Sequence, residues 1–371
     1  MSIQTPYKYD IVGSFLRPKK LKQARLDFEA KKITHEDLTK IEDECITELI
    51  QKEKEAGLHV ITDGEFRRAT WHLDFMWGFD GVGHTPTKTG LPFHGEAAMI
   101  DDTYITGKVK VTGTHPFVKH FEFVKQFEDE NTVAKQTIPA PAQFLEQMIL
   151  PFALENTKKY YADTEDLVQD IANGYKEVIQ QLYKAGCRNI QFDDCSWGML
   201  VDEKAPLFFQ TDQEGLQKVQ ELFLRINNLA IEGKPDDLTI NTHVCRGNFH
   251  STYASSGAYD TVSQTLFAKE NVHAYFLEFD DARSGGFAPL KEVSKDKKVV
   301  LGLITTKSPV LEDKEAVKKR ILEASQYVPL ENLCLSPQCG FASCEIGNKL
   351  TEEQQWAKIK LVKEIAEEIW G

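Results

Sequence analysis

Eight short runs of β-branched and apolar residues, separated by stretches with helical periodicity, most limit what this sequence can fold into. The runs are Asp10–Ser14, His59–Thr62, Val133–Ile138, Asn189–Asp193, Leu238–His243, Ala274–Glu278, Lys298–Ile304 and Asn332–Leu335. Between them, Ile41, Cys45, Ile46, Leu49 and Ile50 form an apolar stripe at three-to-four spacing. Leu216 to Leu229 and Trp356 to Ile369 carry two more. Strands that alternate with helices pair in parallel. Eight of them predict an α/β fold of one domain over 1–371, a single closed (β/α)8 barrel of the TIM type. A doubly wound open sheet competes, but it calls for a Gly-rich turn after the first strand, and Val12-Gly13-Ser14 is not one. One segment breaks the alternation. Residues 71–115 are rich in Gly, Pro and aromatics, and Thr103 to Thr112 alternates like a β-hairpin. This predicts a loop and hairpin excursion after the second strand, at the end of a barrel where long loops serve the active site.

Charge narrows the partners. The net charge of -13 argues against nucleic acid and anionic membrane, both of which need a basic footprint. No basic-then-apolar stretch follows Met1, and the longest apolar runs, such as Val299 to Ile304, are too short to span a bilayer. The expected compartment is the cytoplasm. Seven cysteines, an odd number in a chain with no export signal, do not read as a disulfide framework, which leaves burial or metal binding for each.

The sharpest local signal is Thr242-His243-Val244-Cys245 at the end of the fifth expected strand. Two residues apart on an extended segment, His243 and Cys245 point the same way and can reach one ion. The bland alternative is a buried cysteine beside a hydrogen-bonded histidine. Position favours the ion: Asp193, His243, Cys245, Glu278 and Cys339 all fall at or just past carboxyl ends of strands, which converge on one face of a barrel. His243, Cys245, Glu278 and Cys339 make a four-ligand set suited to tetrahedral zinc (Zn2+), with Asp280 and Asp281 beside Glu278. A second, anionic group comprises Asp63-Gly64-Glu65 and Asp193-Asp194. These carboxylates suit either a substrate ammonium or ordinary helix capping.

Taken together, these residues resemble the catalytic, C-terminal half of cobalamin-independent methionine synthases. The likeness begins at Ile11-Val12-Gly13-Ser14-Phe15 and runs through Gly57 to Glu65, Ile138-Pro139-Ala140-Pro141 and Ile190-Gln191-Phe192-Asp193-Asp194. It continues through His243-Val244-Cys245, Leu277-Glu278-Phe279 and Lys307-Ser308-Pro309 to Ser336-Pro337-Gln338-Cys339-Gly340. The resemblance implies a short-form, zinc-dependent methyltransferase that holds homocysteine as a zinc-bound thiolate and methylates it to methionine. It places the zinc on His243, Cys245, Glu278 and Cys339, the homocysteine carboxylate on Ser14, and its ammonium on Glu65 and Asp193. A free thiol is only a few per cent thiolate at neutral pH, and coordination deprotonates it, which is the reason for the metal.

The chain departs from the long family members in ways that bear on the donor. The resemblance covers only their C-terminal half, so the N-terminal half that helps hold the folate tail is expected to be missing; Lys307 stands where they carry a histidine and is the candidate proton donor, with Lys307 and Asp193 the expected catalytic residues. Phe341-Ala342-Ser343 replaces basic residues after the last zinc cysteine. The expected partners are therefore homocysteine and a compact methyl donor, or a methyl-donor protein docking over 71–115. Two other functions compete. An epoxyalkane:coenzyme M transferase shares the zinc-thiol logic, but Glu65 and Asp193 would face its sulfonate. A non-catalytic zinc- and thiol-binding barrel is the other.

Overall fold

The computed structural model describes residues 5–371. Its strands are β1 (Val60–Ile61), β2 (Asp80–Thr85), β3 (Leu91–Phe93), β4 (Glu96–Ala98), β5 (Asp102–Lys110), β6 (Val133–Ala134), β7 (Gln136–Pro139), β8 (Asn189–Asp193), β9 (Thr239–Val244), β10 (Ala274–Glu278), β11 (Lys298–Ile304) and β12 (Leu333–Pro337). β7 to β12 form one six-stranded parallel sheet in sequence order, and β1 pairs in parallel with β6. Every residue of β8, β10 and β12 is buried, the mark of a parallel sheet covered on both faces. The helices expected from the three apolar stripes are His35–Glu55, Gln213–Ile231 and Glu352–Trp370. Thr34 and Thr351 each open their helix with a capping box.

A mixed α/β architecture is therefore observed, while the expected eight-strand ladder is met only in part. Asp10–Ser14 is not a strand: only Tyr9 bridges to Leu335, and Gly13, at φ 143°, breaks the extended run. Residues 8–15 still lie between β12 and the segment that follows β1. Asp10 donates its backbone N–H to Leu335 O at 3.0 Å, Thr62 Oγ1 donates to Gly13 O at 2.8 Å, and Phe15 N to Gly64 O at 3.1 Å. The third expected strand is split at Lys135, whose side chain turns inward. Its ammonium pairs with Asp10 Oδ1 at 3.0 Å and donates to Gln191 Oε1 at 3.0 Å and to Ile11 O.

The excursion folds as two nested antiparallel pairs, β2 with β5 and β3 with β4, behind a short helix at Leu73–Met76. The hairpin expected at Thr103 to Thr112 is thus one arm, β5, whose partner lies upstream at Asp80–Thr85. The inner hairpin is tied down at its tip. His94 N donates to Tyr253 O, Thr252 Oγ1 donates to His94 O, and Glu96 pairs with His250 and Lys349, all at 2.8 Å.

The buried ion pair makes the first prediction. Lys135 and Asp10 have side chains 0% and 1% exposed. Lys135→Met alone leaves a carboxylate buried without its partner and should cost about 3–5 kcal/mol, read from the urea midpoint. Adding Asp10→Leu should recover much of the loss. Equal instability of the single and double variants would show that the pair's charge is not what Lys135 contributes.

Candidate functional site

Register brings the chemistry to one level. In the parallel ladders Pro139 lies beside Asp193, Asp193 beside His243, and His243 beside Phe276, two residues before Glu278. Cys245 follows β9 by one residue and Cys339 follows β12 by two. The ligand atoms of His243, Cys245 and Cys339 lie within 4.8 Å of one another. All three residues are buried, and neither ring nitrogen of His243 has a hydrogen-bond partner in the protein. A buried imidazole without partners is costly, and an ion between it and two thiols would satisfy it. The donor set therefore fits zinc.

Glu278 does not join that trio. Its Oε2 accepts from Arg246 N at 2.8 Å, and its Oε1 accepts from Arg283 Nη2 at 2.5 Å and Lys307 Nζ at 3.4 Å. Burial acts to raise the Glu278 pKa, but the charges of Lys307 and Arg283 outweigh it and hold the carboxyl below its ordinary value. Lys307 Nζ also pairs with Asp280 at 2.9 Å, and Lys307 does not line the cavity described next.

The trio opens into a cavity of about 650 Å3, within the range of small-molecule sites. Ser14, Glu65 and Asp193 line it, as expected, and the β3–β4 hairpin roofs it through Leu91, Phe93 and His94. Glycine lets Ser14 in: a Cβ on Gly340 would sit 1.9 Å from Ser14 Oγ. Glu65 occupies the left-handed region at φ 61°, which is strained for a residue with a Cβ. The buried Arg17 guanidinium holds that turn, donating to Glu65 O at 2.7 Å and across to Ala342 O at 2.7 Å. Glu65 Oε1 accepts from Thr137 Oγ1 at 3.0 Å and pairs with Arg68 at 3.3 Å, whereas Oε2 has no partner in the protein. Asp193 accepts from Gln191 Nε2 at 2.8 Å. Burial pushes its carboxyl up to about 7, with Glu65 adding and the nearby His243 opposing. Burial likewise raises Glu65, against Arg68 and Arg17.

Sequence reasoning missed three participants. Cys195 Sγ lies 3.1 Å from Cys245 Sγ, and Cys195 lines the cavity. It follows the end of β8 by two residues, the same offset that singled out Cys339 after β12, so position could have found it. Glu146 and Arg283 carry no such signal. Each sits outside the strand ends: Glu146 lines the cavity, and Arg283 reaches the site through its ion pair with Glu278. Glu146, on the helix Pro141–Ile149, is raised to about 8 by burial and by the charge of Asp194.

Residues 154–368 match the model of the family described as cobalamin-independent synthase, catalytic domain. Two uncharacterized Bacillus subtilis proteins, YxjG and YxjH, are each 44% identical to this chain, over 98% and 99% of it and 95% and 96% of their own lengths. A methionine synthase of Saccharolobus solfataricus is 24% identical over 97% of this chain and 95% of its own. The solved structure of a candidate vitamin-B12 independent methionine synthase from Listeria monocytogenes is 39% identical, covers 100% of both chains and superposes with a TM-score of 0.78. A B12-independent methionine synthase from Shewanella, in complex with selenomethionine, shares the fold at 19% identity, 98% and 97% coverage and a TM-score of 0.70.

Glu146 supplies a pH test. A carboxyl raised from about 4.3 when unfolded to about 8 in the fold gives stability that is full below the unfolded value and is lost as pH rises through the folded one. Glu146→Gln, which cannot ionise, should gain on the wild type by at most ~1.4 kcal/mol per pH unit across that window. Urea midpoints at several pH values check it. Parallel curves would mean Glu146 is not held neutral.

Proposed function

Because the chain belongs to the cobalamin-independent synthase catalytic-domain family, we propose that it is a zinc-dependent methyltransferase that converts homocysteine to methionine. The observation that carries this reading is the juxtaposition, in one cavity, of the His243–Cys245–Cys339 trio with the carboxylates of Glu65 and Asp193. The same reading takes the fold as a barrel closed by residues 8–15, supported by their hydrogen bonds to Leu335 on one side and to Thr62 and Gly64 on the other. No helix among the described residues is long and apolar enough to cross a membrane.

His243, Cys245 and Cys339 would hold the metal. Bound there, zinc supplies the positive charge that lowers the pKa of a substrate thiol and keeps it a nucleophile at neutral pH. The protein's own residues do the positioning. Glu65 Oε2, buried and unpartnered, is free to accept from a substrate ammonium, and Asp193 faces the same space. Ser14 Oγ accepts from Ala342 N at 3.3 Å, which leaves its hydroxyl proton for a substrate carboxylate. Arg283 and Lys307 hold Glu278, so Lys307 acts through that carboxylate and not as a proton donor from the cavity wall. Holding sulfur and methyl in line supplies several kcal/mol of the barrier.

The rest of the cavity bears on the donor. Its roof is apolar and aromatic, and among its lining residues Lys204 is the sole lysine or arginine, against the carboxyls of Glu65, Asp193 and Asp202. An acidic, greasy chamber suits a compact neutral or cationic methyl donor, such as a methyl-thio or sulfonium compound, better than a polyanionic folate tail. The same charge disfavours a sulfonate thiol like coenzyme M.

Two measurements test this reading. The purified protein should carry about one zinc per chain, lost in Cys245→Ser, Cys339→Ser, while Cys45, Cys187 and Cys334 should be dispensable. Full occupancy in the double variant would sink the assignment. With donors screened in turn for methionine formation, Glu65→Gln and Asp193→Asn should each raise the KM for homocysteine by about 10- to 100-fold, or ~1.5–3 kcal/mol. A thiol of similar length without the ammonium should be little affected. Equal losses for both thiols would assign the carboxylates another task, and thiol binding without turnover on any donor would make the chain a sensor.

A further inference from the structure

The cavity wall holds polar groups that homocysteine leaves idle. Gln143, Glu146 and Gln147 stand three and four residues apart on the helix Pro141–Ile149, so they share one face, and all three line the cavity. They are 6%, 3% and 6% exposed. Gln143 Nε2 donates to Glu146 Oε2 at 3.0 Å. Gln143 Oε1 and Glu146 Oε1 have no partner among the described residues. Asp194, whose charge acts on Glu146, is engaged elsewhere: its Oδ1 accepts from Ser196 N at 3.1 Å and its Oδ2 from Asn227 Nδ2 at 2.9 Å.

Burial raises the Glu146 carboxyl to about 8, so at neutral pH it acts as a hydrogen-bonding group and not as a charge. With Oε2 accepting from Gln143, the acid proton belongs on Oε1. The helix face then presents an O–H donor on Glu146 beside an acceptor on Gln143. Leaving both unsatisfied in a buried wall is costly, and a ligand edge with an acceptor next to a donor satisfies both. Charged heads fit less well, because an ammonium has no acceptor and a carboxylate no donor. An amino-substituted nitrogen heterocycle has both. It is also planar, which suits stacking in a cavity lined by Trp71, Phe93, Phe208 and Tyr253.

Resting on the methyltransferase reading above, we propose that Gln143, Glu146 and Gln147 bind the non-reacting end of the methyl donor, and that this end is an uncharged, amino-substituted nitrogen heterocycle. The reacting end is a methyl sulfonium, a cation that the acidic lining favours over an anion. In the transfer, the homocysteine sulfur forms a bond to the methyl carbon as the sulfonium C–S bond breaks. The electron pair of that bond stays on the leaving sulfur, which departs as a neutral thioether, and the thiol proton goes to solvent. Such a leaving group needs no acid, in agreement with Lys307 lying outside the cavity lining and paired with Asp280.

Two sulfonium probes share the reacting end and differ in the edge: S-adenosylmethionine carries an adenine and S-methylmethionine does not. Calorimetry on the zinc-loaded, full-length protein without homocysteine reads both. The adenine-bearing probe should bind at least ~10-fold tighter. Glu146→Leu and Gln143→Leu should each cut that preference to about 3-fold or less, whereas Glu146→Gln, which keeps a donor and an acceptor, should retain most of it. An S-adenosylmethionine analogue without the 6-amino group should bind the wild type about 10-fold more weakly, which decides the matter if a leucine variant fails to fold. Equal binding of the two probes, or a preference unchanged in Glu146→Leu, would overturn the subsite. With homocysteine added, methionine formed from S-methylmethionine as readily as from the adenine-bearing donor would overturn the subsite alone. No methionine from any donor would overturn the methyltransferase reading, and the donor assignment with it.

Discussion

The parallel register of the central sheet is the constraint on which the remainder depends. Parallel pairing sets neighbouring strands level, so their carboxyl ends finish together and whatever follows them is gathered on one face. Asp193 opposite His243, and His243 opposite Phe276, put side chains from β8, β9 and β10 within reach of one another without any contact between distant parts of the sequence having to be specified separately. A slip of one residue in β9 would turn His243 and Cys245 to the opposite face together, because side chains alternate with period two.

Loops complete the site, and loops need fasteners. Arg17 is the principal one. Its guanidinium, on a residue 4% exposed, donates to carbonyls of Phe15, Glu65, Arg68 and Ala342, drawing the Ser14 segment, the Glu65 turn and the segment after Cys339 into one unit. Burying a cation among carbonyl oxygens lowers its pKa to about 10, chiefly through loss of water, yet leaves it charged at neutral pH. Its bond to Glu65 O also helps Glu65 hold a left-handed backbone beside the cavity.

Much of the site was legible because the residue types and their positions agree. His243 and Cys245 alternate on one strand, Cys339 follows another, and Glu65 and Asp193 are carboxylates at strand ends that ordinary capping does not consume. Cys195 obeys the same positional rule after β8, but stands next to two aspartates whose charge is the stronger local signal. The Lys135 break was not legible: a single lysine inside a β-branched run looks like an edge residue. Only the ring of partners formed by Asp10, Ile11 and Gln191, which come from distant segments, makes its burial possible.

The sequence by itself determined the alternation of elements, the covered parallel sheet and the set of soft and acidic side chains at its carboxyl ends, because these follow from local periodicity and residue chemistry. The tertiary structure decided which of those side chains face each other. Glu278 reads along the chain as a metal carboxylate, and the structure pairs it with Arg283 and Lys307 from neighbouring loops. Gly198, having no Cβ, lets the short helix after Cys195 close on Cys245. Charge pairing and close packing act through space, between residues that no local pattern joins.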